Sequence, residues 1–98
     1  MKSIIQTEKE CFVCKTTYGL EDHHCIYGSG FRKLSEKYGL KVWLCKRHHT
    51  GDINGNKAAV HFNRVLDGKI KQVAQRAFME HYPDKDFMEV FGRNYLEG

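Results

Sequence analysis

Four cysteines and six histidines dominate the chemistry open to this chain of 98 residues. Cys11 and Cys14 are separated by two residues, and so are Cys45 and His48. Each pair fits one tight turn, and two such turns facing each other supply the four tetrahedral N/S donors of a structural zinc site. An ion held by Cys11, Cys14, Cys45 and His48 would tie the start of the chain to its middle. Two other sets stay open: His49 could replace His48, and Cys25 could complete an all-cysteine site. His48 keeps the two-residue spacing and leaves Cys25 as a core thiol. Unrelated buried thiols are the plainer alternative, because free cysteine is a common core residue. The same spacing occurring twice argues against it.

The remaining histidines include His23, His24, His49 and His61, enough for a second metal site. Imidazoles suit several divalent transition metals, and a site with fewer than four protein ligands keeps positions for water and substrate. Neighbours on a strand point to opposite faces, so His23 and His24 do not chelate one ion side by side. One can bind the ion while the other addresses an attacking water. His81, far along a helical segment, reads as ordinary.

These residues need elements to position them. Residues 20–27 (LEDHHCIY) read as a short strand ended by Gly28-Ser29-Gly30. Residues 31–38 (FRKLSEKY) predict two helical turns closed by Gly39. Residues 40–45 alternate, with Leu40, Val42 and Leu44 on one face and Lys41 and Trp43 on the other, as in a half-buried strand. A Gly/Asn/Asp-rich loop follows at TGDINGN, and a helix then begins near Ala58. Its apolar face comprises Phe62, Val65, Leu66, Ile70, Val73, Ala74, Ala77 and Phe78, with Gly68 as a place to bend. Pro83-Asp84 stops that helix and starts another, carrying Phe87, Met88 and Phe91 and ending at Gly92. The order predicts a small α+β domain.

Composition sets the outer bounds. A chain this short buries a modest share of its surface, and small scaffolds often recruit a metal or disulfides. Hydrophobic residues make up 41% and charged residues 29%, an ordinary globular balance. No apolar run approaches the ~20 residues that cross a bilayer, and no signal-peptide core is present, so the expectation is a cytoplasmic protein without a membrane partner. In a reducing cytosol cysteines read as metal ligands or buried thiols before disulfides. The net charge of +4 lies wholly in residues 1–50, where nine Lys/Arg face five Asp/Glu. Arg32, Lys33, Lys37, Lys41, Lys46 and Arg47 against Glu36 concentrate it in 31–50. Such a patch attracts a polyanion by neutralising phosphates and releasing counterions, although a solvated basic face is the bland reading.

The residues from Cys11 to about Asn63 resemble the HNH, or ββα-metal, endonuclease family. The resemblance rests on the cysteine pair, on Asp22-His23-His24-Cys25-Ile26, on the basic segment and on Leu44-Cys45-x2-His48-His49. Zinc-bearing relatives often read Leu-Cys-x2-Cys-His at the last segment, so His48 stands for the second cysteine and His49 for the family's last histidine. The C-terminal stretch Phe87–Tyr95 looks like that of small phage- or prophage-type members. The resemblance implies a ββα-metal core of two short antiparallel strands and a helix, stapled by structural zinc over about 11–66. A helical extension over about 67–98 completes one domain, 1–98. It further implies hydrolysis of a DNA phosphodiester bond with one catalytic divalent ion, Mg²⁺, Mn²⁺, Ni²⁺ or Zn²⁺. His24 is then the general base, and His23, His49 and His61 are ligands of that ion. Arg32, Lys33 and Arg47 hold the nucleic acid. A second register makes Asp22 the ligand and His23 the base. The family's middle Asn, which orients the base, has no counterpart between His24 and His49, and Asn54 and Asn56 come too late. A zinc-stabilised nucleic-acid-binding module without catalysis is the alternative function, and a redox or metal-carrying protein is a third. The C-terminal helices could form a homodimer.

Overall fold

The computed structural model describes residues 2–28, 30–49, 59–60 and 63–96. Strand β1 (Leu20–His24) and strand β2 (Lys41–Cys45) form an antiparallel pair joined through helix α1 (Phe31–Tyr38). A single helical turn α2 (Lys46–His49) follows β2 directly; then come α3 (Arg64–His81) and α4 (Phe87–Phe91). The architecture is α+β, with a two-stranded sheet and helices. Among the described residues no helix is long and apolar enough to cross a membrane.

The ladder pairs Leu20 with Cys45, Glu21 with Leu44, Asp22 with Trp43, His23 with Val42 and His24 with Lys41. Partners share a face, so Glu21 and His23 lie with the buried Val42 and Leu44. Asp22 and His24 lie with Trp43 and Lys41 on the other face. β1 stops at His24, short of the Tyr27 the sequence suggests. Ile26 is the reason: the Ser35 hydroxyl accepts its N–H at 3.2 Å and donates to its carbonyl at 2.6 Å. That buried exchange takes Ile26 out of the ladder and fastens α1 to the end of the strand.

α1 runs over the residues expected. It turns Ser35 and Tyr38 inward and leaves Arg32, Lys33 and Lys37 exposed. Gly39 ends it at φ +74°, and a Cβ there would meet the Lys2 carbonyl oxygen at 2.5 Å, so both conformation and space demand glycine. The free edge of β2 is covered by the N-terminal segment. Ile4 N–H donates to the Gly39 carbonyl, Ser3 Oγ to the Lys41 carbonyl, and Gln6 Oε1 accepts from Trp43 N–H. Covering an edge removes a site for unwanted strand pairing.

α3 starts at Arg64 because Asn63 caps it, its Oδ1 accepting from Leu66 N–H at 3.0 Å. The expected start near Ala58 lies outside the described residues, as do Phe62 and His61. The helix passes through Gly68 without interruption and buries Ile70, Ala74, Gln75 and Phe78, whereas Val65 is exposed. The change from core to extension suggested at residues 66–67 thus falls in its first turns. α4 closes at Gly92, as expected, but opens on the Asp86 cap and not at Pro83-Asp84, because the Asp86 side chain accepts from Met88 N–H; Phe87 and Phe91 are buried and Met88 is exposed. Phe78 gathers Tyr38, Tyr82, Phe87 and Phe91 around it at centroid distances of 5.3, 5.1, 5.4 and 6.0 Å. Edge-to-face aromatic packing of this kind adds to the stabilisation by area burial. It anchors α1 to the two C-terminal helices, at the far end of α1 from the loop after β1.

Candidate functional site

Cys11 and Cys14 sit in a turn closed by Lys15 N–H on the Cys11 carbonyl and Cys11 N–H on the Thr16 carbonyl. Lys15 itself adopts φ +68°. Phe12 N–H reaches the Trp43 carbonyl at 2.8 Å, which lays this turn against β2. Cys45 ends β2, and the turn of α2 swings His48 back over it. The result brings four donors together: Cys45 Sγ to His48 Nδ1 is 3.2 Å, Cys11 Sγ to His48 Nδ1 is 3.7 Å, and Cys14 Sγ to Cys45 Sγ is 3.8 Å. All four ligand atoms lie within 4.8 Å of one another. Zn–S bonds of about 2.3 Å and Zn–N bonds of about 2.0–2.1 Å at tetrahedral angles separate donors by roughly 3.5–3.8 Å. The spacing therefore suits zinc.

The thiols carry the matching electrostatics. Burial pushes the Cys11 thiol up, but hydrogen bonds from the backbone of Cys14, Cys45 and Val13 and from the Cys14 side chain outweigh it and bring it down to about 6. The Cys45 thiol is raised, by burial and by the neighbouring Cys11 and Cys14, against a lowering hydrogen bond from the His48 backbone. One thiolate is welcome and a second meets repulsion, a cost that a divalent cation relieves. Cys25 stays outside this group, fully buried, with its thiol raised first of all by burial. His48, rather than His49 or Cys25, is therefore the fourth residue placed to hold a metal with Cys11, Cys14 and Cys45.

His49, one position on, points elsewhere. Its Nδ1 lies 2.9 Å from Glu21 Oε1, and its ring meets that of His23 edge-on at a centroid distance of 5.1 Å. A carboxylate is an acceptor, so Nδ1 carries a proton; in a neutral ring Nε2 then keeps the lone pair, the arrangement found where a carboxylate orients a metal-ligating imidazole. His23 is buried and packs edge-on against Tyr27 as well, at 5.7 Å. Burial first, and then Asp67, push the Tyr27 phenol up to about 12, so it stays neutral.

His24 faces the other way, as strand alternation requires, with Nε2 3.0 Å from Glu36 Oε1. Lys41 donates to both Glu36 oxygens, at 3.2 and 3.0 Å, and its Nζ lies 3.8 Å from Asp22. Asp22, His24 and Glu36 are also close enough to share an ion. The Lys41 ammonium already contacts both carboxylates, so a cation entering there would have to displace it. This cluster reads as an ion-pair network.

The two faces of β1 meet at a cavity of about 240 Å³ lined by Asp22, His23, His24, Tyr27, Arg32 and His49. Of the residues expected to do chemistry, the structure brings His23, His24, His49 and Arg32 to this one place. Lys33 and Arg47 are exposed, on α1 and α2, and do not line it. His61 lies outside the described residues. A larger hollow of about 670 Å³ under the N-terminal segment shares Asp22 with the first, but no histidine lines it among the described residues. Sequence reasoning missed Glu21, Tyr27, Glu36 and Lys41. Glu21 alone carried a signal: two residues before His23 on a strand, it must share that residue's face. Comparison of the chain with protein-family models, with curated proteins and with solved structures returned no match.

Proposed function

We propose that the protein is a metal-dependent endonuclease of the ββα-metal type, hydrolysing DNA phosphodiester bonds, with a structural zinc that clasps the fold. The observation that carries this reading is the convergence of His23, His24, His49 and Arg32 on one cavity beside the Cys₃His group. In it, β1, β2 and the turn bearing His49 correspond to the ββα unit. His23 and His49, with His61 as a third, would hold the catalytic ion. When bound, that ion supplies Lewis-acid stabilisation of the charge on the leaving oxygen. His24 accepts the proton of the attacking water. Arg32 holds the phosphate at the cavity, and Lys33 and Arg47 extend the cationic surface along the nucleic acid. The reading implies a cytoplasmic protein whose partner is DNA.

Supercoiled plasmid incubated with Mg²⁺, Mn²⁺ or Ni²⁺ tests it. The parent protein nicks or linearises the plasmid, and His24→Ala slows this about 10²–10⁴-fold, the usual worth of a general base. Undiminished cleavage by His24→Ala removes His24 from that role. The second reading is a zinc-stabilised nucleic-acid-binding module, which needs only the Cys₃His group and exposed basic residues such as Lys33 and Arg47. Tight binding without cleavage under any of the three ions would select it.

A further inference from the structure

We infer that Glu36 is the positioning residue for His24, fixing both the orientation and the tautomer of the imidazole that serves as general base. This rests on the endonuclease reading above. A general base must present a bare nitrogen to water, and a neutral imidazole has one bare and one protonated nitrogen, set by what each contacts. His24 Nε2 lies 3.0 Å from Glu36 Oε1. An ionised carboxylate only accepts, so Nε2 carries the proton and Nδ1 is left as the acceptor. Glu36 is itself held: Lys41 reaches both of its oxygens, at 3.2 and 3.0 Å.

The three groups come from three elements. His24 and Lys41 are ladder partners on β1 and β2, and Glu36 lies on the last turns of α1 above them. α1 is in turn fastened at Ser35, the neighbour of Glu36, to the backbone of Ile26, two residues beyond His24. Any swing of the helix relative to β1 is therefore resisted at the point where the carboxylate meets the ring. The sequence offers no asparagine between His24 and His49 to orient the base. The Glu36–Lys41 pair supplies that orientation from a different element.

Glu36→Gln in the zinc-loaded full chain is the test. The side chain is 41% exposed, so the substitution opens no core. The amide can donate as well as accept, which frees His24 to adopt the other tautomer. Two readouts apply. Plasmid cleavage at saturating ion should show kcat down about 10–100-fold with KM unchanged, within what a general base supplies. Long-range ¹H–¹⁵N correlation of the imidazoles, with His24 assigned from His24→Ala, should show Nε2 protonated in the parent and a mixed or inverted tautomer in the variant. A parent with the proton on Nδ1 would overturn the inference. So would a variant with parental kcat, or one whose loss is restored by more divalent ion, which would make Glu36 a ligand. If the parent cleaves no nucleic acid, the endonuclease reading fails and the catalytic purpose of the contact goes with it. The tautomer measurement still decides whether Glu36 sets the ring, so the two failures are told apart.

Discussion

His48 and His49 are neighbours on one helical turn, yet they belong to two regions built on opposite plans. In the clasp, donors approach one another: thiol to thiol and thiol to imidazole at 3.2–3.8 Å, with no carboxylate in the group. In the cavity, two of the three imidazoles meet a carboxylate, His49 at Glu21 and His24 at Glu36, and the rings of His23 and His49 touch edge-on. Donors packed together in this way suit a bound cation. Imidazoles braced from behind make sense where a nitrogen must be aimed at something that comes and goes. On the proposed reading, the clasp holds an ion that stays and the cavity receives ion and substrate in passing.

The largest expected effect lies in the clasp. Cys11→Ser, or a strong chelator, should abolish cooperative folding. Structural zinc contributes about 10–16 kcal/mol in zinc-finger peptides, as much as the whole stability of a typical domain. Circular dichroism on melting and the zinc content of purified protein check this. A variant that melts like the parent without zinc would break the distinction outright. Acidification should act the same way. The Cys11 thiol, held down to about 6 against an ordinary 9.0, is ionised in the folded chain at neutral pH and withdraws that support as pH falls through about 6. That support shrinks as pH falls from about 9 to about 6, and protons also compete with zinc for the thiolates, so zinc retention and folded fraction should fall together on acidification, monitored with a zinc-sensitive dye alongside ellipticity. Zinc release at high pH instead of low would contradict the sign.

A smaller effect should appear one residue away. Glu21→Gln leaves the clasp untouched but releases the brace on His49. Removing such an outer carboxylate typically lowers metal affinity or activity about 10–100-fold. Titration with Mn²⁺ or Ni²⁺ should show that loss while zinc content and melting stay parental. Loss of the tightly bound zinc in Glu21→Gln would mean that the two regions are one.

How much of this the sequence discloses differs between the two regions for the same physical reason. The clasp is encoded by local spacing, Cys-x2-Cys and Cys-x2-His, each contained in one turn, so four residues can be read without knowing the fold. Helix α1 and strand β2 are equally legible, because periodicity and a glycine stop at residue 39 are local too. The cavity depends on partners that meet only after folding. Glu36 lies on a helix twelve residues after His24, and Glu21 lies twenty-eight before His49; as surface carboxylates in a sequence neither stands out. β1 ends earlier than its composition suggests because a serine hydroxyl on α1 captures Ile26. The cap that starts α3 is hard to see because Phe62, just before Asn63, falls in with the apolar spacing of Val65 and Leu66. Residues 2–10, without periodicity, give no hint that they cover the edge of β2.

The finest distinction concerns the basic residues, which charge counting treats alike. Arg32 lines the histidine cavity, whereas Lys33, its neighbour on α1, is exposed and does not. Both substitutions should lower DNA affinity a little, because each removes one cation from the field that releases counterions. The slope of log K against log salt should flatten by about 0.9 for each phosphate that is no longer neutralised. Only Arg32→Ala should also lower kcat at saturating DNA, because an arginine at the cavity can hold the reacting phosphate itself with its fixed fork of donors. Binding measured at several salt concentrations, together with single-turnover cleavage, separates the two effects. Equal losses in Arg32→Ala and Lys33→Ala would mean that the cavity does not receive the phosphate and that the basic face acts as a diffuse field.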